Sequence, residues 1–275
     1  MRPKSPRLAT IRTAQRRGPD RPSEDRIFTT DNAAVVLDGA SQPDASDRDG
    51  GWLADTLGRE IAERLHQSGD DLDQLLTDAI TSVMKRHDLR AGAAPSTTVS
   101  IARWDSDSID ILVLGDSPVI ALTHDGELRQ VRDDRLRQVA RYQRQQLNRA
   151  GPGFGFDDAD QWRNLTNAER TQRNQPGGYW IAEATPEAAA HAMRDRWDIQ
   201  DLTAILMMTD GVSAGVDRYG QPAEWRTAVD MALADPALLV DLVHDTEAED
   251  PNGNQWPRSK RHDDKALAVI EFNRR

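Results

Sequence analysis

The chain has 275 residues, 37% of them hydrophobic, and a formal net charge of −11; that is enough apolar material for one large domain with its own core. The acidic balance argues against a nucleic-acid partner, whose phosphates attract a basic face, and no stretch approaches the roughly 18 apolar residues of a membrane-spanning helix. There are no cysteines, which removes disulfides, thiolate metal sites and cysteine nucleophiles.

Residues 1–7 carry Pro, Lys and Arg with no apolar run behind them. They read as a mobile tail rather than a secretory signal, so a cytoplasmic setting is expected. One domain, 8–275, is expected after it. A strand is predicted at 8–13, then a polar segment to Arg26 too rich in Pro and Gly to be helical. Strands follow at 27–30 and 33–37, joined by an Asp31-Asn32 hairpin turn. Leu53, Leu57, Ile61 and Leu65 mark one amphipathic helix. Leu72, Leu75, Leu76, Ala79, Ile80, Val83 and Met84 mark a second.

The segments 97–103, 109–114, 119–123 and 127–131 read as four strands joined by connections of a few residues. Links that short require antiparallel neighbours, so a meander is predicted and a Rossmann-type series is excluded. A helix is predicted over 132–149, with its arginines on a solvated face. The polar stretch 151–178 is long for a loop, and about 150–180 reads as a flap or insert. Thr185-Pro186-Glu187 has the chemistry of a helix start. A strand at 203–209, helices around 222–233 and 235–247, and a closing strand at 266–272 complete the chain.

Aspartates recur where apolar runs stop: Leu37-Asp38-Gly39, Gly115-Asp116-Ser117, Thr209-Asp210-Gly211 and, just before the last strand, Asp263-Asp264. Glu24-Asp25 stands just ahead of another strand. Any one of these is ordinary turn chemistry. Together, with no consistent His or Cys pattern beside them, they predict an oxygen-donor cluster for hard ions such as Mg²⁺ or Mn²⁺. Two such ions lower the pKa of a water and clamp a phosphoryl oxygen. Competing patterns are weaker. Gly115-Asp116-Ser117 with Asp241 and His244 has the residues of a GDSL-type esterase, but that motif belongs near the N-terminus. Asp38-Gly39-Ala40 lacks the second aspartate of a haloacid-dehalogenase phosphatase.

The order Glu24-Asp25, Asp38-Gly39, Ser96-Thr97-Thr98, Gly115-Asp116-Ser117, Thr209-Asp210-Gly211, Asp263-Asp264 resembles the metal-dependent type-2C protein Ser/Thr phosphatases. The resemblance runs from about Leu8 to Phe272 and implies an α+β fold, a four-layer α-β-β-α sandwich of two antiparallel sheets flanked by helices. By position it implies that Asp38 bridges two Mn²⁺ or Mg²⁺ ions and Gly39 offers its carbonyl. Asp210 and Asp263 would hold one ion, and Glu24 would act on the other through water. Asp25 would orient the attacking water. Asp116 would sit near a third ion that some members bind. Spacing to the closing strand favours Asp263 over Asp264.

The sequence departs from the family at three places. Asp20 stands where members carry a phosphate-binding arginine, leaving Arg21, or Arg17, to reach that spot. Ala40 replaces the histidine of animal-type members, and Ala214 replaces an acid common in bacterial ones. The activity implied is hydrolysis of phosphoserine or phosphothreonine on the protein targets of a Ser/Thr kinase, by a monomer. The alternative is a catalytically silent relative that binds phosphoproteins.

Overall fold

The computed structural model describes residues 8–18, 21–40, 48–67, 69, 71–139, 159–256, 258 and 260–272. Ten strands form two five-stranded antiparallel sheets. The first sheet has the order β2-β3-β4-β5-β8: β2 (Arg26–Thr29), β3 (Ala33–Leu37), β4 (Val99–Trp104), β5 (Ser108–Leu114) and β8 (Met193–Asp198). The second has the order β1-β10-β9-β6-β7: β1 (Ala9–Arg16), β10 (Lys265–Phe272), β9 (Leu202–Met208), β6 (Val119–Thr123) and β7 (Leu128–Val131).

Side-chain parity along the strands explains the layering. A strand sends alternate residues to opposite faces, and β3 is buried on both. Val35 and Leu37 pack with Leu57, Ile61 and Leu76 of the helices α1 (Gly50–Gln67) and α2 (Leu72–His87). Ala34 and Val36 face the other way and meet Val119, Ala121, Ile205, Met207 and Ala268 of the second sheet. Leu206, Met208, Leu267 and Val269, on the far face of that sheet, pack on later helices through Val229, Leu239 and Val243. The molecule is therefore helix, sheet, sheet, helix, as the resemblance implied.

The remaining α-helices among the described residues are α3 (Arg135–Gln138), α4 (Ala159–Arg170), α5 (Asp210–Ala214), α6 (Trp225–Ala234) and α7 (Pro236–Glu249). The Thr185-Pro186-Glu187 signal opens a 3-10 helix, Pro186–His191, with Pro in its first turn.

Three expectations need correction. The four central strands are not one meander. β4 pairs with β5 and β6 with β7, but β5 and β6 lie in different sheets. Gly115, with φ +86°, turns the chain from one sheet to the other. A short link forces the chain to reverse or switch layers, and here both strands are buried on both faces, so the switch wins. Of the helix predicted over 132–149, α3 is the part within the described residues, since 140–149 lies outside them. The 151–178 segment, read as a loop, contains α4, while 151–158 lies outside the described residues, as do 1–7.

Strand β8 escaped the sequence reading because Met193-Arg194-Asp195-Arg196-Trp197-Asp198 buries only Trp197. It is an edge strand, where charge protects against further pairing.

Candidate metal centre

Strand direction gathers the acids. β2 and β3 are antiparallel, as are β9 and β10. The start of β2 and the end of β3 therefore share one end of their sheet, and the start of β10 and the end of β9 share one end of theirs. Asp25 precedes β2, Asp38 follows β3, Asp210 follows β9 after one residue, and Asp263 precedes β10 by two. The Thr209 hydroxyl, next to Asp210, reaches Asp25 at 2.7 Å, and Asp264, next to Asp263, accepts the Glu24 N–H at 3.0 Å, so the two ends meet.

Close backbone contacts fix those ends. A Cβ on Gly39 would lie 2.4 Å from the Gly50 carbonyl carbon, so the start of α1 rests directly on the residue after Asp38. A Cβ on Gly211 would lie 1.9 Å from the Asp264 carbonyl oxygen, and one on Gly18 would lie 2.4 Å from that of His262. Only glycine permits these approaches. Hydroxyls complete the frame. The Asp38 N–H donates to Thr98 Oγ1 (3.0 Å), and its carbonyl accepts from the Thr98 N–H (2.9 Å) and Thr97 Oγ1 (2.9 Å). Thr209 Oγ1 donates to Asp25 Oδ2 at 2.7 Å and accepts the Ala266 N–H at 3.0 Å, tying β2, β9 and β10 together. Thus Ser96-Thr97-Thr98, met first as part of a sequence pattern, acts in the fold as a backbone clamp.

The charges are not matched locally. Burial raises the proton affinity of Asp25, Asp38 and Asp210, and repulsion among the acids raises it further: Asp25 feels Asp263, Asp264 and Asp210, and Asp38 feels Asp25, Asp210 and Asp263. Burial also works to raise Asp263. There the Lys260 ammonium, 2.8 Å from Oδ1, prevails and holds the carboxyl below its usual range. Rigid, mutually repelling carboxylates with only oxygen donors fit a hard divalent cation; the chemistry of the donor set passes that test.

The other residues singled out from sequence are placed as follows. Glu24 is buried and accepts from Arg21, Nη2 to Oε2 2.9 Å, with the Arg21 side chain 43% exposed at the rim. Arg17 is exposed, and Asp20 lies outside the described residues. Asp264 accepts the backbone N–H groups of Gly18 (2.9 Å) and Glu24 (3.0 Å), so its carboxylate organises the loop beneath the cluster. Asp116 is at the matching end of β5, since β3 and β5 both run antiparallel to β4. It is two strand spacings, about 10 Å, from the end of β3, and acts on Arg137 and Tyr179.

Ser117 is fully buried and shares a 2.6 Å hydrogen bond with Thr98. His244 stacks on His262, 4.0 Å between ring centroids, so the esterase pattern does not assemble. Arg132 and Arg137 both pair with Asp217, and Arg135 pairs with Asp133, so the described part of the arginine face is spent on internal ion pairs.

Lys260 and Thr209 were missed. A lysine three residues before Asp263, in a chain with so few lysines, was the available signal for the first. Thr209 had none beyond adjoining Asp210. Among the described residues, the group of His, Asp and Glu side chains whose ligand atoms all lie within 4.8 Å of one another is His244, Glu247 and His262, not the four aspartates. Its carboxylate already faces the buried Lys265 ammonium at 2.6 Å, so a resident cation neutralises it.

A protein phosphatase 2C family model matches residues 14–237. No curated protein matches. Among solved structures, the PPM Ser-Thr phosphatase MsPP from Mycobacterium smegmatis, in complex with cacodylate, is 17% identical with a TM-score of 0.57, covering 98% of this chain and 100% of that one. The catalytic domain of the phosphatase PstP, in complex with two manganese ions, is 17% identical with a TM-score of 0.54, covering 97% and 99%. Stp1 from Staphylococcus aureus is 14% identical with a TM-score of 0.59, covering 100% and 98%. The matched span takes in the loops before β2 and after β3 and β9, three of the four places where the acids converge, and on that match the chain belongs to the protein phosphatase 2C family.

Proposed function

We propose that this chain is an Mg²⁺- or Mn²⁺-dependent protein serine/threonine phosphatase whose centre is the Asp25–Asp38–Asp210–Asp263 cluster. The observation that carries it is a set of aspartates at converging strand ends whose charges repel one another and raise the proton affinity of Asp25, Asp38 and Asp210. The manganese pair in the PstP structure supports two ions here. Asp38, between the other acids, would bridge them, with Asp210 and Asp263 on one side and the Gly39 carbonyl and Glu24 toward the other. When bound, such ions supply an acidified water and a clamp on phosphoryl oxygens.

The chain's own residues supply the rest. Asp25, held by the Thr209 hydroxyl, would orient the attacking water and receive its proton. Arg21, at the rim and paired with Glu24, would attract the phosphate dianion. Ser117, the serine of the esterase-like pattern, is buried and would not serve as a nucleophile, and direct attack by water without a phosphoenzyme is the expected course. The reading extends to a cytoplasmic monomer acting on the protein targets of a Ser/Thr kinase, and a chain without cysteines suits a reducing compartment. Residues about 150–180 we take as a flap on a domain spanning 8–275. The Thr97–Ala182 bridge, just after this segment, ties the chain to the Asp38 clamp and supports that position.

The test is phosphate release from a phosphothreonine peptide by the purified chain with EDTA, Mg²⁺ or Mn²⁺. Release that needs the ion is expected. No release with either ion, by a folded protein that binds Mn²⁺, would instead establish the silent phosphoprotein-binding relative.

A further inference from the structure

Lys260 is the cation nearest the centre for which the metal chemistry has no use. Its Nζ donates to Asp263 Oδ1 at 2.8 Å, with the two side chains 28% and 36% exposed. An i,i+3 surface pair is ordinarily worth under about 1 kcal/mol. This one differs, because the ammonium also lies in the field of Asp38 and Asp210, two further acids of the cluster. Lys260 is carried on the loop before β10, and it meets Asp263, the carboxylate of that loop that acts on Asp25, Asp38 and Asp210 alike. Asp264 is occupied by the Gly18 and Glu24 N–H groups.

We propose that Lys260 is a tethered competitor for the divalent ion at Asp263: its ammonium holds that carboxylate until the ion displaces it, and so sets the metal affinity of the centre. The proposal rests on Asp263 being a metal ligand. The physical reason is Coulombic. A divalent ion at Asp263 Oδ1 would share that oxygen with an ammonium 2.8 Å away, and two cations that close repel each other. Binding of the ion therefore favours an outward swing of the ammonium, which its partial exposure allows, and the weakened ion pair is subtracted from the binding free energy of the ion. Lys260 thus becomes an affinity-tuning residue that contacts neither the substrate nor the water. It keeps the carboxylates from one another's full repulsion while no ion is bound.

The experiment is calorimetric titration of Mn²⁺ into metal-stripped wild type, Lys260→Met, Lys260→Arg and Asp263→Asn. Lys260→Met should bind Mn²⁺ at least about threefold more tightly, the scale of one exposed ion pair. Lys260→Arg, which restores the charge, should return to within about twofold of wild type on the same scale, and Asp263→Asn should lose affinity. Unchanged or weaker binding by Lys260→Met, with Asp263→Asn still defective, would overturn the competitor role and leave the metal centre standing. Equal Mn²⁺ binding by Asp263→Asn and wild type would overturn the reading of Asp263, and the proposal with it.

Discussion

Two acid-rich clusters lie on either side of the first residues of β10, and they solve the same problem in opposite ways. On one side Glu247, buried on α7, meets the Lys265 ammonium at 2.6 Å, the Tyr219 hydroxyl at 3.1 Å and His262 Nδ1 at 3.2 Å. Next to it Asp250 pairs with Arg258 at 2.9 Å and accepts three backbone N–H groups, from Asn254, Gln255 and Trp256. These carboxylates have partners supplied by the chain. On the other side Asp25, Asp38 and Asp210 bind protons more tightly than free aspartate, first through burial and then through one another. Arg218, acting on Asp210, and Lys260, acting on Asp38, Asp210 and Asp263, offset part of that charge. A buried acid with an internal partner serves as scaffold; acids that face one another carry a repulsion that a cation from outside would relieve. That contrast separates structure from function within one stretch of chain, Lys260 to Lys265.

The contrast can be broken from either side. Asp38→Ala should cost turnover on the order of 10³-fold or more, the scale seen when one preorganised electrostatic group is lost. It should leave the protein folded, which phosphopeptide kinetics and circular dichroism check together. Lys265→Met should do the reverse. Removing one partner of a buried pair costs about 3–5 kcal/mol, so the unfolding temperature should fall by about 6 °C or more, at about 2–4 °C per kcal/mol for a large domain.

In EDTA, pH should distinguish the clusters by sign. The raised carboxyls of Asp25, Asp38 and Asp210 contribute stability that is complete below the ordinary carboxylate range, near 4, and lost as pH rises through their raised values. Asp263, held low by Lys260 against its burial, acts oppositely, and its contribution disappears only as pH falls below that range. His244, pushed down to about 4 first by burial and then by His262, stabilises the fold above its ordinary value and stops doing so as pH falls from about 6.5 to about 4. Wild type minus Asp38→Asn should therefore show a stability difference that grows more unfavourable to wild type from about pH 5 to pH 8, just above the free carboxylate range. Equal slopes in the two proteins would refute the coupling. The smallest effect is expected for Ser117→Ala: about 1 kcal/mol of stability for one lost hydrogen bond, and unaltered turnover with Mn²⁺. A large loss of turnover would revive a serine nucleophile.

Much of this was legible in the sequence for a physical reason. Buried strands such as Ala33–Leu37 and Leu202–Met208 are apolar on both faces, and helices such as Leu72–His87 carry an unmistakable stripe. The aspartates that end or precede those strands are the ones brought together, because strand direction decides which ends meet. What stayed hidden depended on tertiary partners. Strand β8 has almost no apolar signal because only one of its faces is covered, and only at Trp197. The step from β5 to β6 has the length of a hairpin, and nothing local tells a hairpin from a change of sheet. Asp263 and Asp264 are chemically identical neighbours. Only the N–H groups of Gly18 and Glu24, some 240 residues away in sequence, distinguish a loop anchor from a member of the cluster.

The most direct measurement is the unfolding temperature of metal-stripped wild type and Asp38→Asn, each with and without Mn²⁺ at about 100 times its dissociation constant. Binding to the folded state alone is then worth about 2.7 kcal/mol. Wild type should rise by about 5 °C or more. Asp38→Asn, relieved of one repelling charge, should start at or above the stripped wild type and respond little to the ion. A wild type indifferent to Mn²⁺, or an Asp38→Asn protein that gains as much from it, would contradict a metal centre built on these carboxylates.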